Sequence, residues 1–350
     1  MATHEQLPAT SSRSPLNPTI TTTTINIGTR RSKLALVQAQ IVYDALKAAY
    51  PETSFQIHAI ATMGDKNQVT PLHNFGAKSL WTFELEHSLL DGSLDLVVHS
   101  LKDMPTQLPL KCKIGAILSR GNARDVVVMK QTFPYKSIAD LPVGSVVGTS
   151  SVRRSAQIAR KYPELQFKDV RGNLGTRLGK LDANDSEYAC LILAAAGLER
   201  LGLGDRITQF LDSKTLGGGI LHAVGQGALA IEIRDDDEKT QSLLAKLIDQ
   251  DTTLACLAER SLLRALEGGC SVPIGVETEW VEKGKLLMKA MVVSLDGKDA
   301  VETEMLAEIL AGRDAEEFGS TVAQDLIAKG ASKILEAINT KDVVENGGGA

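Results

Sequence analysis

Between residues 25 and 200 the chain keeps returning to one local pattern: a short apolar strand, a turn rich in Gly, Ser or Thr, then a helix. Strand-like residues at 24–27 end at Gly28. A helix is predicted from about Ser32, with Leu34, Val37, Ile41, Ala45 and Leu46 at helical spacing and Pro51 just beyond its end. Phe55, Ile57 and Ala59 alternate with Gln56 and His58, the period of a half-buried strand. A helix over 84–90 and a strand over 95–98 follow. The pattern then recurs as a strand at 145–147 with a helix from Val152, a strand at 166–170 with a helix at 174–181, and a buried strand at 189–193. Strands alternating with helices predict α/β domains with mostly parallel sheets. Beyond Gly227 the texture changes to one strand (228–233), two long helical stretches (238–249 and 254–266), two strands (274–280 and 286–294) and a final helix from Asp314, the make-up of a small α+β domain.

At 350 residues the chain is long enough for two or three cores, and 43% apolar with 23% charged residues is ordinary for a globular protein. The net charge of -5 gives no basic field for nucleic acid, so an anionic ligand must be drawn by local clusters. The densest apolar run, 189–198, is about half of a membrane span. Residues 1–24 are rich in Thr, Ser and Pro without the apolar stretch of a secretory signal, and a disordered arm is expected there, with a second disordered tail at 343–350. The cysteines (Cys112, Cys190, Cys256, Cys270) form no CxxC pair and have no histidine at zinc-like spacing; four reduced thiols in a cytoplasmic protein are expected. Cys190 and Cys256 fall in apolar runs and read as core. No sequence repeat, Walker A loop or GxGxxG turn is present.

The arginines carry most of the chemical information. Arg30 and Arg31 follow Gly28 and Thr29 at a strand-to-helix turn; Arg153 and Arg154 follow Gly148, Thr149 and Ser151; Arg171 and Arg177 bracket a turn containing Gly172; Arg200 follows Gly197. Helix N-termini at the carboxyl ends of strands offer free N–H groups to anions, and arginine adds a bidentate fork. A solvated surface charge explains any one of these residues. Four such turns together point to a ligand with several negative charges, carboxylate or phosphate. The segment HSLKDMP at 99–105 places Lys102 beside Asp103 at a strand end. A carboxylate among cations stays ionised and suits stabilising a developing cation or moving a proton, although a capping or ion-pairing Asp fits the same residues. In LEGGCSVP at 266–273, glycines before Cys270 and a proline after it describe a constrained loop, which leaves the thiol either reactive or incidental.

Together, GTRRSKLA at 28–35, HSLKDMP at 99–105, VGTSSVRR at 147–154, RGNLGTR at 171–177, VGQGA at 224–228 and LEGGCSVP at 266–273 resemble the hydroxymethylbilane synthase (porphobilinogen deaminase) family, in order and over most of the chain. The resemblance implies two α/β domains like those of type II periplasmic binding proteins, with mixed, mostly parallel sheets and the active-site cleft between them. A small C-terminal α+β domain would complete the molecule. On that reading domain 1 is 25–120 with 222–248, domain 2 is 121–221 and domain 3 is 249–342. The family joins four porphobilinogen molecules, with loss of ammonia, on a covalent dipyrromethane primer and releases a linear hydroxymethylbilane for tetrapyrrole (haem) synthesis. By position the primer's thioether falls on Cys270 and the catalytic carboxylate on Asp103. Arg153, Arg154, Lys102, Ser100, Thr149, Ser151, Arg171 and Gly172 match cofactor-binding positions. Arg30, Ser32, Arg177, Arg200, Gln226, Lys78 and Trp81 match substrate-binding ones. The family is usually monomeric, and neither metal, nucleic acid nor membrane is implied. The loop 72–84 departs from the family pattern, with Asn74 and Phe83 where many relatives have Lys and Trp81 where they have Phe. The rival readings are a non-catalytic polycarboxylate or anion receptor of the same architecture, disfavoured by Cys270 and Asp103, and a phosphate- or nucleotide-binding enzyme, disfavoured by the missing motifs.

Overall fold

The computed structural model describes residues 24–66, 82–215, 219–266 and 272–346. Its first sheet starts with β1 (Ile25–Arg30) and β2 (Phe55–Ile60), parallel neighbours joined through α1 (Lys33–Ala49). α1 begins where its sequence predicts: the Ser32 hydroxyl accepts from the Ala35 N–H, and Ala35, Ala39, Val42 and Leu46 make the buried stripe that lies on the sheet. After α2 (Met63–Lys66) and α3 (Phe83–Leu90) come β3 (Leu96–Ser100), a 3-10 turn at Leu101–Asp103 and β4 (Cys112–Ile117). The chain then crosses to a second sheet built from β5 (Asp125–Met129), β6 (Val146–Gly148), α4 (Val152–Lys161), β7 (Gln166–Lys168), α5 (Leu174–Asp182), β8 (Tyr188–Ala194), α6 (Ala195–Arg200) and β9 (Gln209–Leu211). It returns with β10 (Leu229–Arg234), which inserts into the first sheet.

Among the described residues the two larger sheets have the orders β2-β1-β3-β10-β4 and β7-β6-β8-β5-β9. In each, the strand that arrives from the other sheet, β10 or β5, runs antiparallel to both its neighbours, and the rest are mutually parallel. The sheets are therefore mixed and mostly parallel, as expected for this α/β class, and they share one topology without any repeat in sequence. The two crossing segments touch: Gly121 N–H donates to the Gly227 carbonyl at 3.1 Å. Gly227 has φ +87°, and a Cβ there would fall 2.6 Å from the Gly121 oxygen, so this close approach requires glycine.

The remaining elements are α7 (Glu238–Leu244), α8 (Gln250–Ala265), the antiparallel sheet β11 (Ile274–Glu282), β12 (Lys285–Val293) and β13 (Ala300–Glu308), then α9 (Gly312–Ala328) and α10 (Ala331–Asn346). Leu254, Ala258 and Leu262 of α8 pack with Phe318, Val322 and Leu326 of α9 over Val276, Met288 and Ala290 of the sheet, the α+β core expected of this region. Four strands (β4, β5, β9, β13) were not anticipated from sequence. The helix expected over 238–249 stops at Leu244 and tightens into a 3-10 turn, Ala245–Leu247. α10 runs to Asn346, with no Gly or Pro before Gly347.

Candidate active site

β1 of the first sheet and β6 of the second end in the same way. β1 leaves through Gly28, Thr29 and Arg30 to the α1 cap Ser32, and β6 leaves through Gly148 and Thr149 to the α4 cap Ser151, whose hydroxyl accepts from the Arg154 N–H. Thr149 Oγ1 in turn accepts from the Ser151 N–H at 3.2 Å. α5 starts alike, with the Asn173 side chain accepting from the Thr176 N–H at 2.9 Å. Each turn presents a helix N-terminus whose first N–H groups have no partner in the helix.

Arg30, Ser32, Ser100 and Asp103 line one cavity together with Gln38 and His99. The Ser100 hydroxyl accepts from Gln38 Nε2 at 2.8 Å, and His99 beneath it pairs with the buried Glu232 at 3.0 Å. Asp103 ends the 3-10 turn, half-buried, and among the described residues its carboxylate accepts no hydrogen bond. Cations surround it. Lys102 Nζ donates to Gln226 Oε1 at 3.3 Å; burial and the Arg154 guanidinium pull its ammonium down to about 8, against the opposing charges of Asp103 and Asp125. Burial, Arg154 and Arg171 bring Arg177 down to about 10, again opposed by Asp103, while its Nε donates to the Gly172 carbonyl at 2.8 Å. Arg171 is half-buried and follows the last residue of its strand region into Gly172, whose φ of +112° admits the Thr176 side chain close behind it.

Arg153 and Arg154 are buried, at 5% and 7% exposure, and both turn onto one carboxylate. Arg153 Nη1 donates to Asp125 Oδ2 at 2.7 Å, and Arg154 reaches Asp125 Oδ1 through Nε at 2.9 Å and Nη2 at 2.7 Å. Arg200 Nη2 donates to the Gly227 carbonyl at 2.6 Å, placing that guanidinium at the crossing of the two chain segments. The turns on both sheets thus converge on a region where guanidinium and ammonium groups outnumber carboxylates around one unengaged Asp. Such a site can hold a ligand with several carboxylates and set Asp103 against positive charge that develops on it.

The family model described as "Porphobilinogen deaminase, dipyromethane cofactor binding domain" matches residues 25–242, and "Porphobilinogen deaminase, C-terminal domain" matches residues 253–328. The chain belongs to the porphobilinogen deaminase family. Porphobilinogen deaminase of Neurospora crassa is 55% identical over 320 residues, covering 90% of this chain and 94% of that protein. The enzymes of Yarrowia lipolytica (53%, covering 91% and 94%) and Saccharomyces cerevisiae (50%, covering 90% and 97%) are similar over the same span. Among solved structures, the periplasmic aliphatic sulphonate binding protein SsuA from Escherichia coli overlaps 70% of each chain at 13% identity and a TM-score of 0.36, a likeness too low to carry weight.

As a porphobilinogen deaminase the chain uses a dipyrromethane cofactor. The donor set fits that group: a dipyrromethane carries four carboxylates, and the two sheets supply an excess of cations with capped helix N-termini beside them. Cys270, Lys78, Trp81 and the departing Asn74 lie outside the described residues. Phe83 is the first residue of α3 and is 63% exposed.

Sequence reasoning missed three charged residues of the site's frame. Asp125 is the counterion just described. Arg120 and Glu259 form a buried pair, with Nη1 to Oε1 at 2.6 Å and Nη2 to Oε2 at 3.0 Å, and Glu259 also accepts from the Gly225 N–H at 2.8 Å and Thr278 Oγ1 at 2.6 Å. A signal existed for Asp125: a carboxylate opening the run Val126, Val127, Val128 is bound to be buried, and a buried carboxylate needs a cation.

Proposed function

We propose that this chain assembles hydroxymethylbilane from porphobilinogen in the cleft between the two larger sheets, with Asp103 as the catalytic carboxylate. The observation that carries this reading is the half-buried Asp103, unengaged by any hydrogen bond among the described residues and ringed by Lys102, Arg177 and Arg30. Dipyrromethane, joined to Cys270 as a thioether, supplies a free pyrrole α-carbon as the primer for chain growth. Cys270 follows α8, and Glu259 on that helix fixes it against both crossing segments, so the loop emerges from a braced element.

The residues divide the work by charge. Arg153, Arg154 and Lys102 hold cofactor carboxylates, and Ser100, Thr149, Ser151, Arg171 and Gly172 supply hydroxyl and N–H donors around them. Arg30, Ser32 and Arg177 face the same cavity or charge cluster as Asp103 and receive the acetate and propionate of the incoming substrate. Arg200 and Gln226 act from the crossing, and Lys78 and Trp81 from the loop before α3. When the C–N bond of the substrate's aminomethyl group breaks and the nitrogen departs as ammonia with the bonding pair, the methylene carbon stays on the ring and positive charge spreads from it over the pyrrole. Asp103 stabilises that charge through the pyrrole N–H and accepts the proton that restores the ring after bond formation.

The division into domains at 25–120 with 222–248, 121–221 and 249–342 is part of this reading, supported by the three sheets. So is a cytoplasmic location, supported by the free thiols of Cys112, Cys190 and Cys256, and a monomer, which the family resemblance implies. Among the described residues no helix is long and apolar enough to cross a membrane.

The test is incubation with porphobilinogen followed by acid quenching and oxidation, which turns the linear product into an absorbing porphyrin. The wild-type chain gives that absorbance. Asp103→Asn still binds substrate but turns over at least about 100-fold more slowly. Near-normal turnover of Asp103→Asn removes the carboxylate from catalysis.

A further inference from the structure

Arg153 and Arg154 are consecutive on α4, where successive side chains point about 100° apart around the helix axis. Both are nevertheless folded onto Asp125. That residue is 0% exposed, and its place is fixed by the sheet, since β5 pairs Asp125 with Ala194 on one side and Leu211 on the other. All four bonds to its carboxylate come from the site: one from Arg153, two from Arg154 and one from Gln226 Nε2 at 3.0 Å. Gln226 anchors its amide further on the Ala123 carbonyl at 2.7 Å and takes the Lys102 ammonium on its oxygen. One chain of contacts therefore runs from Lys102 on the first sheet, through the crossing segment, to the arginine pair on the second.

The charge balance gives this arrangement its function. Two guanidiniums share one carboxylate, so the cluster keeps a net positive charge that Asp125 orients and does not cancel. Each guanidinium also donates to a backbone carbonyl, Arg153 to Leu221 at 2.6 Å and Arg154 to Ile192 at 2.9 Å, but with a neutral residue at 125 the two adjacent buried cations would repel each other without a counterion and their pairing would loosen. The arginines also keep the Asp125 carboxyl far below the usual carboxylate range, so it stays charged wherever the protein is folded.

We propose that Asp125 is a positioning residue for cofactor assembly: it sets Arg153 and Arg154 as a paired receptor for dipyrromethane carboxylates and, through Gln226, keeps Lys102 in register with them. This rests on the functional reading above.

The test uses full-length wild type and Asp125→Asn purified from cells unable to make porphobilinogen, then given porphobilinogen while the intact mass is followed. Wild type gains one dipyrromethane. Asp125→Asn gains it at least about tenfold more slowly, as expected for losing a charge-assisted anchor. A second readout separates positioning from mere folding. Asp125 and Asp103 hold the Lys102 ammonium up while burial, Arg154 and Arg153 pull it down, so the alkaline decline of loading moves to lower pH in Asp125→Asn. Wild-type loading rate and an unmoved alkaline limb in that variant overturn the proposal. If Asp125→Asn does not fold, Asp125→Glu decides, because it keeps the charge and displaces it by one methylene: slowed loading is expected, and wild-type loading overturns the proposal. Wild type that gains no mass contradicts the functional reading itself and not the role of Asp125.

Discussion

Asp103 and Asp125 both act on the Lys102 ammonium, yet one lies open to the cavity and the other is closed inside four bonds. The difference was only half legible in sequence. Asp103 stands beside Lys102 at the end of a strand, so its chemistry could be read locally. Asp125 meets Arg153 and Arg154 from 28 and 29 residues away, a distance that only the pairing of β5 with β8 closes. Arg153 and Arg154 were read as ligand-facing from their turn, whereas their burial behind a counterion was not. Lys102 carries a pH prediction. Its ammonium titrates near 8 and not at its ordinary 10.5, so the charge that holds carboxylates is lost as pH rises through about 8. Loading of the dipyrromethane primer therefore slows above that pH, and in Lys102→Gln loading is slower and no longer changes there. A wild-type loading rate that stays flat from pH 7 to 9 contradicts this. The stability linkage has the opposite slope: between 8 and 10.5 the unfolded chain binds more protons at this residue than the folded one, so its contribution to stability rises with pH.

α8 is the element on which the frame depends. Glu259 accepts both Arg120 nitrogens, the Gly225 N–H and the Thr278 hydroxyl, and with this many donors its carboxyl is brought down to about 2 against the cost of burial. Glu259→Gln leaves Arg120 buried without a counterion and costs about 3–5 kcal/mol in urea unfolding; a loss below about 1 kcal/mol would show that the pair does not brace the helix. His222 on the returning segment is brought down to about 4 by burial and by Arg120. Since the unfolded imidazole titrates near 6.5, stability falls as pH drops from 6.5 towards 4, and Glu259 adds a further loss from 4.5 towards 2. A thermal midpoint measured against pH should show the upper part of that decline flattened in His222→Gln. Gly227→Ala places a side chain at φ +87° and against the Gly121 oxygen, and should cost on the order of 2 kcal/mol or more. Sequence periodicity found α8 and α1 because their buried stripes are local. It missed β13, whose residues Glu302, Glu304 and Glu308 are exposed and whose strand character comes from pairing with β12.

On the scale of the molecule, two sheets of equal topology exchange one strand each across touching segments, and the candidate site lies where β1 and β6 end. The alternation of strands and helices made the α/β class legible. The order within the sheets was not, because β10 enters the first sheet more than a hundred residues after its partner β3 and from the opposite direction. Once that strand is in place, Gln226 and Gly227 stand between the two halves, and the turns at 28–32, 99–103, 148–154 and 171–177 share one region. The third sheet packs with α8 and α9, and Glu259 of α8 ties that unit to the crossing. On the proposed function, the cleft builds a tetrapyrrole on a primer bound to Cys270. The most direct measurement is the denatured intact mass of the chain beside Cys270→Ser, before and after incubation with porphobilinogen. An increment of one dipyrromethane is expected in the wild-type chain and none in the variant. A wild-type mass still equal to that of the bare polypeptide after incubation, or an equal increment in Cys270→Ser, would contradict this reading.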